Sequence, residues 1–322
     1  MIFASVQPMH IPDGFLSVAV SLILWLLAVV AIAVSLRRVN RDLDERKIPL
    51  MGVLAAAIFA GQMLNFAVTG GTSGHLMGAA IATILLGPWA AMLVMTAVVG
   101  IQALIFQDGG ILALGANLFN MGVIGVTVSF FTYRAVMRLA RGQKWGVFAG
   151  GFAAGWLSIF IASLAAALQL ALSGTSPANL AVPAMGGIHA LIGIGEGLIT
   201  VGALAFLYAA RRDLVIQGSE GVGGGKGVIV GGLILAVALA VLAPLASAHP
   251  DGLEWVAAQN GFLGRAQGAS FNVIPNYVLP GVSNAALATI LAGVLGLLLV
   301  LGVVLALAYS RRHRAAAESQ QS

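Results

Sequence analysis

The chain has 322 residues, of which 60% are hydrophobic and only 8% are charged, and its mean hydropathy is +1.00. A soluble domain carries roughly 25% charged residues, so this composition excludes a soluble globule, a disordered chain and collagen. The absence of cysteine excludes disulfide scaffolds, thiolate metal sites and thiol catalysis. Because the apolar stretches are long and unbroken, the sequence predicts an all-α polytopic membrane protein rather than a membrane β-barrel.

The apolar segments predict about nine transmembrane helices. A bundle of seven comes first and a pair follows near the end of the chain. The predicted spans are 15–36, 48–68, 75–86, 89–106, 116–133, 146–172, 184–210, 228–245 and 284–309. The third of these is short, because a Gly-rich loop precedes it and the Gly87-Pro88 turn ends it.

Basic residues set the predicted orientation. Fifteen of the 16 lysines and arginines fall in short segments between or after apolar runs, namely 37–47, 134–144, 211–226 and 311–314. Such segments remain on the cytoplasmic side. The sequence therefore predicts an outside N-terminus and a cytoplasmic C-terminus. No basic patch with interleaved aromatic residues exists, so nucleic-acid binding is not expected.

Composition also divides the chain into parts. Residues 9–212 are predicted to form the seven-helix membrane domain, and residues 228–322 a two-helix module. Between them, 213–227 includes the segment QGSEGVGGGKG, which is typical of a flexible linker. Residues 1–8 lack the features of a signal peptide. We expect the chain to start at Met9, with trimming of this extension as the alternative. If neither holds, Pro8–Met9 is an ordinary peptide bond and the amine ligand is lost.

The segment from Met9 to Gly14 carries the sharpest chemical signal. If the mature chain begins at Met9, its amine, the His10 amide and the His10 ring are three nitrogens in sequence that can chelate one ion. Planar nitrogen donors suit Ni(II) and Cu(II) best. An imidazole from His75 is a candidate for the fourth position. The alternative is a disordered N-terminal stub.

Further polar residues lie near or within predicted spans, where they need a partner. Asp108, Asn117 and Asn120 are candidates to orient His10 or His75, or else to join helices. His189 and Glu196 lie two turns apart on one helix. They are candidates for orienting or gating the site, or for a structural hydrogen bond.

A rival hypothesis comes from the GTSG motif. Ser73 as nucleophile and His189 as base outline a rhomboid-like intramembrane serine protease. A generic permease or channel is a further alternative. No Walker motif is present, since Gly221–Gly227 lacks its spacing. The chain is therefore not expected to hydrolyse ATP or to act as an enzyme.

Several motifs resemble, in order, those of the CbiM/NikM family. They are MHIPDGFLS at 9–17, GGTSGHL at 70–76, QDGGILALGANLFN at 107–120 and HALIGIGEG at 189–197. Members are substrate-binding (S) components of bacterial energy-coupling-factor importers for cobalt and nickel. The resemblance implies a seven-helix bundle in the cytoplasmic membrane and a transmembrane coupling subunit and ATP-binding subunits as partners. It implies no prosthetic group, with Co²⁺ or Ni²⁺ bound as substrate by Met9, His10 and His75.

The segment AHPDGLEW at 248–255 resembles the outer loop of the CbiN/NikN-type accessory component, the PDGLE module. That component has two spans and is sometimes fused to the binding subunit, as the two predicted helices after the Gly-rich linker suggest here. His249, Asp251 and Glu254 are candidate weak ion contacts in this loop. A solvated loop is the alternative for these three residues.

Overall fold

The computed structural model describes residues 9–42, 47–210, 226–269 and 271–319. The predicted extension 1–8 and most of the predicted linker 213–227 lie outside the described residues. The described chain is mostly helical, and two short antiparallel strands form one hairpin.

The helices follow the order of the apolar segments. They are α1 (Val18–Asp42), α2 (Lys47–Gln62), α3 (Ala79–Leu86), α4 (Pro88–Phe106), α5 (Leu114–Asn117), α6 (Gly125–Leu139), α7 (Lys144–Leu172), α8 (Ala178–Ala210), α9 (Lys226–Leu242), α10 (Gly252–Gln259) and α11 (Ala285–Ser319). A π-helical segment, Leu118–Ile124, joins α5 to α6. The strands β1 (Phe66–Val68) and β2 (Thr72–Gly74) lie between α2 and α3.

Within the described residues, seven helical segments are long and apolar enough to cross a membrane. They are Val18–Val39, Pro88–Phe106, Leu114–Leu139, Lys144–Leu172, Ala178–Ala210, Gly227–Leu245 and Ala285–Ser310. This confirms the prediction of an all-α polytopic membrane protein.

The other two predicted spans, 48–68 and 75–86, are shorter than expected. The first is helical only to Gln62 and continues into the β-hairpin. The second contains α3, whose 8 residues reach only about 12 Å at a rise of about 1.5 Å per residue. A hydrocarbon core is about 30 Å thick, so α3 cannot cross it. Hydropathy does not reveal this, because a loop buried within the protein is as apolar as a helix.

The C-terminal helices pack on the N-terminal bundle. Both α9 and α11 contact α2. Gly296 of α11 allows this close approach, because a Cβ there would overlap the ring of Phe59. Helices in a membrane associate mainly through such van der Waals packing at small residues. The module is thereby docked where its connecting loop, between α10 and α11, reaches the site described next.

Candidate functional site

The first three residues of the segment Met9–Gly14 are buried in the bundle instead of lying on its surface. Met9, His10 and Ile11 are only 4%, 6% and 5% exposed. Asn117 holds the backbone of Ile11 at both ends: Ile11 N donates to Asn117 Oδ1 at 3.0 Å, and Asn117 Nδ2 donates to Ile11 O at 3.1 Å. An amide side chain that matches a peptide in this way satisfies backbone groups that no helix or sheet would satisfy.

The loop after α4 binds this segment through hydrogen bonds. The carboxylate of Asp13 accepts hydrogen bonds from Ile111 N at 3.1 Å and Ala113 N at 2.9 Å, and Gly110 N donates to Ile11 O at 3.0 Å. Gly109 has a φ of +94°, and a Cβ there would lie 2.9 Å from His10 Cβ. Two consecutive glycines are therefore needed for the two backbones to approach.

The three nitrogens of the predicted chelate all lie within hydrogen-bond distance of the Asp108 carboxylate. Its Oδ1 atom lies 2.7 Å from Met9 N, 3.1 Å from His10 N and 3.2 Å from His10 Nδ1. The Asp108 side chain is fully buried. Its other oxygen, Oδ2, accepts a hydrogen bond of 2.6 Å from the hydroxyl of Tyr277. The three nitrogens thus point toward one place in the protein interior.

The hairpin and the loop before α3 bring His75 to the same place. The rings of His10 and His75 are 6.0 Å apart between centroids and nearly perpendicular, at 88°. His75 Nδ1 lies 3.0 Å from Leu76 O. A carbonyl oxygen only accepts hydrogen bonds, so this contact assigns the ring proton to Nδ1. Nε2 is left with a free lone pair.

Glu196 of α8 holds the other side of the His75 loop. Its Oε2 and Oε1 atoms accept hydrogen bonds from Met77 N at 2.7 Å and Gly78 N at 3.0 Å. Non-helical backbone at membrane depth is tolerated only where the protein satisfies its polar groups. Glu196 does so for this loop, and its partner is the backbone rather than His189.

A cavity of about 90 Å³ lies between these elements. Its lining includes the three candidate ligands and several of the other predicted residues. The lining residues are Met9, His10, Ile11, Ser73, Gly74, His75, Met77, Asn117, Asn120, Met121, Ile159, Ala162, Ser163, Ala166, Met185, His189, Ile192, Asp251, Gly252 and Leu253. His189 Nδ1 lies 2.8 Å from Met185 O, which leaves its Nε2, like that of His75, with the free lone pair.

The PDGLE segment covers one wall of this cavity. Ser73 N and Ser73 Oγ donate to Pro250 O at 2.8 Å and His249 O at 2.9 Å. Of the three candidates in this loop, only Asp251 lines the cavity. Asp251 also caps α10, since its Oδ1 accepts from Glu254 N at 2.7 Å. The side chain of His249 is exposed and Glu254 is half-buried.

Electrostatics at the site follow from burial and from the Asp108 charge. Burial opposes ionisation of Asp108, but His10, Tyr277 and the Met9 N–H lower its pKa to about 2. Burial likewise opposes a charge on His10, yet Asp108 outweighs it and raises the pKa of His10. Burial and the nearby His10 lower the pKa of His75 to about 4, so His75 is a neutral imidazole. Burial raises the pKa of Asp251 to about 8.

Asn117 and Asn120 have different hydrogen-bond partners. Asn120 forms two hydrogen bonds with Gln169 of α7, at 2.9 and 2.7 Å, whereas Asn117 holds Ile11. Residues three apart share a face in a regular α-helix, but here the π-helical segment begins between them and changes this register. Of the two, Asn117 therefore has the contact with the N-terminal segment.

Sequence reasoning missed the groups that assemble the site. Gly109 and Gly110 stand out only as part of a motif, and Tyr277 and Gln169 carry no signal in the sequence. Nothing in the sequence shows that the carboxylate of Asp13 binds a loop about 100 residues away. The DGG pattern after a predicted helix was the one available signal, since paired glycines indicate a close backbone approach.

The protease arrangement has no support in this geometry. A serine nucleophile donates its hydroxyl proton to its base. Ser73 Oγ donates instead to the backbone oxygens of His249 and Pro250.

The chain is a polytopic membrane protein whose bundle encloses a cavity with His10, His75 and His189 in its lining. Residues 10–214 match the family model CbiM, described as the cobalt uptake substrate-specific transmembrane region. Residues 226–313 match the PDGLE domain. The chain belongs to the CbiM family and carries a PDGLE domain after it, as the motifs predicted. No cluster of three or more His, Cys, Asp or Glu side chains able to hold a metal occurs in the described ranges.

Relatives support the same assignment. The chain is 38% identical over 310 residues to a putative fused nickel transport protein NikMN of Archaeoglobus fulgidus, covering 93% of this chain and 98% of that protein. It is 34% identical to a cobalt transport protein CbiM of Sorangium cellulosum, covering 64% and 94%. A solved truncated transition metal transporter superimposes with a TM-score of 0.56 at 35% identity, covering 63% of this chain and 99% of that one. The chain is thus a membrane component of cobalt or nickel transport.

Proposed function

We propose that this chain is the substrate-binding component of an ATP-driven energy-coupling-factor importer for Ni²⁺ or Co²⁺. The ion is bound as the transported substrate. Family membership supports metal transport, and the names of relatives include both nickel and cobalt transport proteins. The proposal that this chain itself binds the ion rests on the residues around Asp108.

The ligands in this proposal are the amine of Met9, the amide and ring nitrogens of His10 and the Nε2 of His75. One observation carries it: the three nitrogens of Met9 and His10 all lie within 3.2 Å of Asp108 Oδ1. Donors that already converge before the ion arrives bind it more tightly, because less ordering entropy is lost on binding. His75 supplies a neutral imidazole across the same cavity, with its proton on the other nitrogen.

Charge balance supports the same arrangement. A divalent ion in a buried site needs compensating negative charge. One such charge comes from the His10 amide, which releases its proton to solvent as the ion takes the place of the hydrogen bond to Asp108. The second comes from the buried Asp108 carboxylate. The ion, the deprotonated amide and Asp108 are together neutral. Asn117, His189 and Glu196 then serve to position the N-terminal segment, the cavity wall and the His75 loop.

In this proposal the chain works together with other subunits of the importer. A transmembrane coupling subunit and ATP-binding subunits supply energy, because the sequence has no Walker motif. The N-terminus and the cavity face outward, and the C-terminus is cytoplasmic, as the basic segments indicate. Residues 9–212 form the binding domain and residues 228–322 the accessory module.

Ion binding by purified variants tests the ligand set. In chains beginning at Met9, His75→Ala should weaken Ni²⁺ and Co²⁺ binding about a hundredfold or more, since losing only a positioning partner of a ligand costs about 10–100-fold. His249→Ala is the matched control, because that side chain is exposed and outside the cavity lining. Affinity is measured by equilibrium competition with a chelator of known strength.

Two results would contradict the proposal. Equal affinity of His75→Ala and His249→Ala would remove His75 from the ligands. Equal affinity of a chain beginning at Met9 and one that retains residues 1–8 would remove the free amine. Cellular uptake of Ni²⁺ with and without co-expressed coupling and ATP-binding subunits tests the proposed partners.

A further inference from the structure

Tyr277 belongs to the C-terminal part of the chain, yet its hydroxyl reaches the centre of the candidate site. The side chain is fully buried. Its hydroxyl donates to Asp108 Oδ2 at 2.6 Å, while Oδ1 of the same carboxylate accepts from Met9 N and His10 N. One carboxylate therefore links the loop before α11 to the N-terminal segment.

The backbone around Tyr277 is unusual. Asn276 and Tyr277 have φ values of +54° and +56°, in the left-handed region that non-glycine residues avoid. Such a conformation persists only where the surrounding structure enforces it, and it is common at functional sites. Here Ile274 N donates to Ile105 O at 2.9 Å, which anchors the loop to the end of α4.

The ring of Tyr277 is fixed independently of its hydroxyl. It stacks on Phe106, with centroids 4.8 Å apart and an interplanar angle of 14°. It also contacts the ring of Phe59 at 6.2 Å. A phenylalanine at this position would retain both ring contacts, so ring packing alone does not account for the hydroxyl.

A second contact from the same part of the chain holds the N-terminal segment. Gln267 N donates to Asp13 O at 2.8 Å, as an isolated antiparallel bridge. Asp13 follows the predicted ligands by only a few residues. The loop between α10 and α11 thus contacts the segment directly through Gln267 and indirectly through Tyr277 and Asp108.

We propose that Tyr277 is a positioning residue for ion binding: its hydroxyl fixes the Asp108 carboxylate, and Asp108 in turn aligns the nitrogens of Met9 and His10. The C-terminal module thereby contributes to the site without touching the ion. This inference rests on the proposed function, because it presumes that those nitrogens bind Ni²⁺ or Co²⁺.

The experiment measures Ni²⁺ affinity of Tyr277→Phe in the full two-part chain beginning at Met9. We expect a loss of about tenfold, the lower end of the range for groups that orient ligands. Tyr309→Phe is the matched control, because Tyr309 is exposed near the end of α11. The visible absorption of planar Ni²⁺ is recorded as well, and misalignment of the nitrogens should shift or weaken this band in Tyr277→Phe alone.

A double-mutant cycle with Asp108→Asn separates positioning from general packing. If Tyr277 acts through Asp108, Tyr277→Phe has little further effect once Asp108 is replaced. If the hydroxyl only stabilises the fold, the two losses add. Titration to millimolar Ni²⁺ keeps the weakened variants in range, and the cycle is decisive even if Tyr277→Phe lowers thermal stability.

The inference is overturned if Tyr277→Phe binds Ni²⁺ as Tyr309→Phe does, or if the two losses are additive. His75→Ala distinguishes failure of the role of Tyr277 from failure of the proposed function. A wild-type chain that binds Ni²⁺, loses it with His75→Ala and is indifferent to Tyr277→Phe refutes only the role of Tyr277. Indifference to His75→Ala refutes the proposed function itself.

Discussion

Replacement of Gly110 by alanine should undock the N-terminal segment with the smallest possible change in mass. A Cβ at this position would fall on the Asp13 carboxylate and the Asp13 backbone nitrogen, closer than the 3.0 Å below which real Cβ contacts are essentially not observed. The backbone nitrogen of Asp13 cannot rotate away, unlike the end of a flexible side chain. The segment must therefore shift away from the loop after α4.

The cost follows from the bonds that hold the two together. Three hydrogen bonds depend on this approach: Gly110 N to Ile11 O at 3.0 Å, Ile111 N to Asp13 Oδ2 at 3.1 Å and Ala113 N to Asp13 Oδ1 at 2.9 Å. A net contribution of about 1 kcal/mol each gives about 3 kcal/mol for docking. Since about 1.4 kcal/mol corresponds to a factor of ten, ion affinity should fall about a hundredfold.

The assay is chelator competition for Ni²⁺ with chains that begin at Met9. Gly100→Ala in α4 is the control, because a Cβ there meets no atom within 4 Å. That variant should bind as the wild type does and gain slightly in stability, since alanine is favoured over glycine in helices by about 1 kcal/mol. If Gly110→Ala stays within threefold of Gly100→Ala, the docked segment does not form the ion site.

Two predictions concern buried hydrogen bonds. Glu196→Ala leaves the Met77 and Gly78 N–H groups without their acceptor and should destabilise the apo protein by about 3 kcal/mol, at about 1–3 kcal/mol per stranded group. Glu196→Gln keeps one acceptor and should lower the free energy of unfolding by about half as much. If both Glu196 variants unfold in detergent as the wild type does, this reasoning is wrong. Gln169→Leu removes both hydrogen-bond partners of the Asn120 amide. It should lower the free energy of unfolding by about 2 kcal/mol. Adding Asn120→Leu should recover part of that loss, whereas purely additive losses in chemical unfolding would contradict it.

Sequence predicted the class of fold because apolar length is a strong signal. It did not predict the hairpin, the loop and the short helix around His75, since the segments on either side of the Gly-rich loop are apolar whether they span the membrane or lie inside the protein. The non-helical backbone of this stretch depends on Glu196, which lies about 120 residues later. Local sequence carries no information about a partner at that distance.

Of the site, sequence identified the residues with distinctive chemistry. Met9, His10, His75 and Asp108 all lie at one place in the structure, although their role as ligands stays a prediction. It did not identify the groups that align them. Tyr277 is one of four tyrosines in the chain, and its contact with Asp108 becomes visible only in the fold.

The packing of α9 and α11 on α2 joins two parts of a single polypeptide. Their encounter is intramolecular, so its effective concentration is set by the tether and does not fall on dilution. If these parts were separate polypeptides, the occupancy of the Asp108 contact would depend on how much of each the cell makes. Here translation fixes the ratio at one to one, so the occupancy of the hydrogen bond between Tyr277 and Asp108 should not depend on expression level.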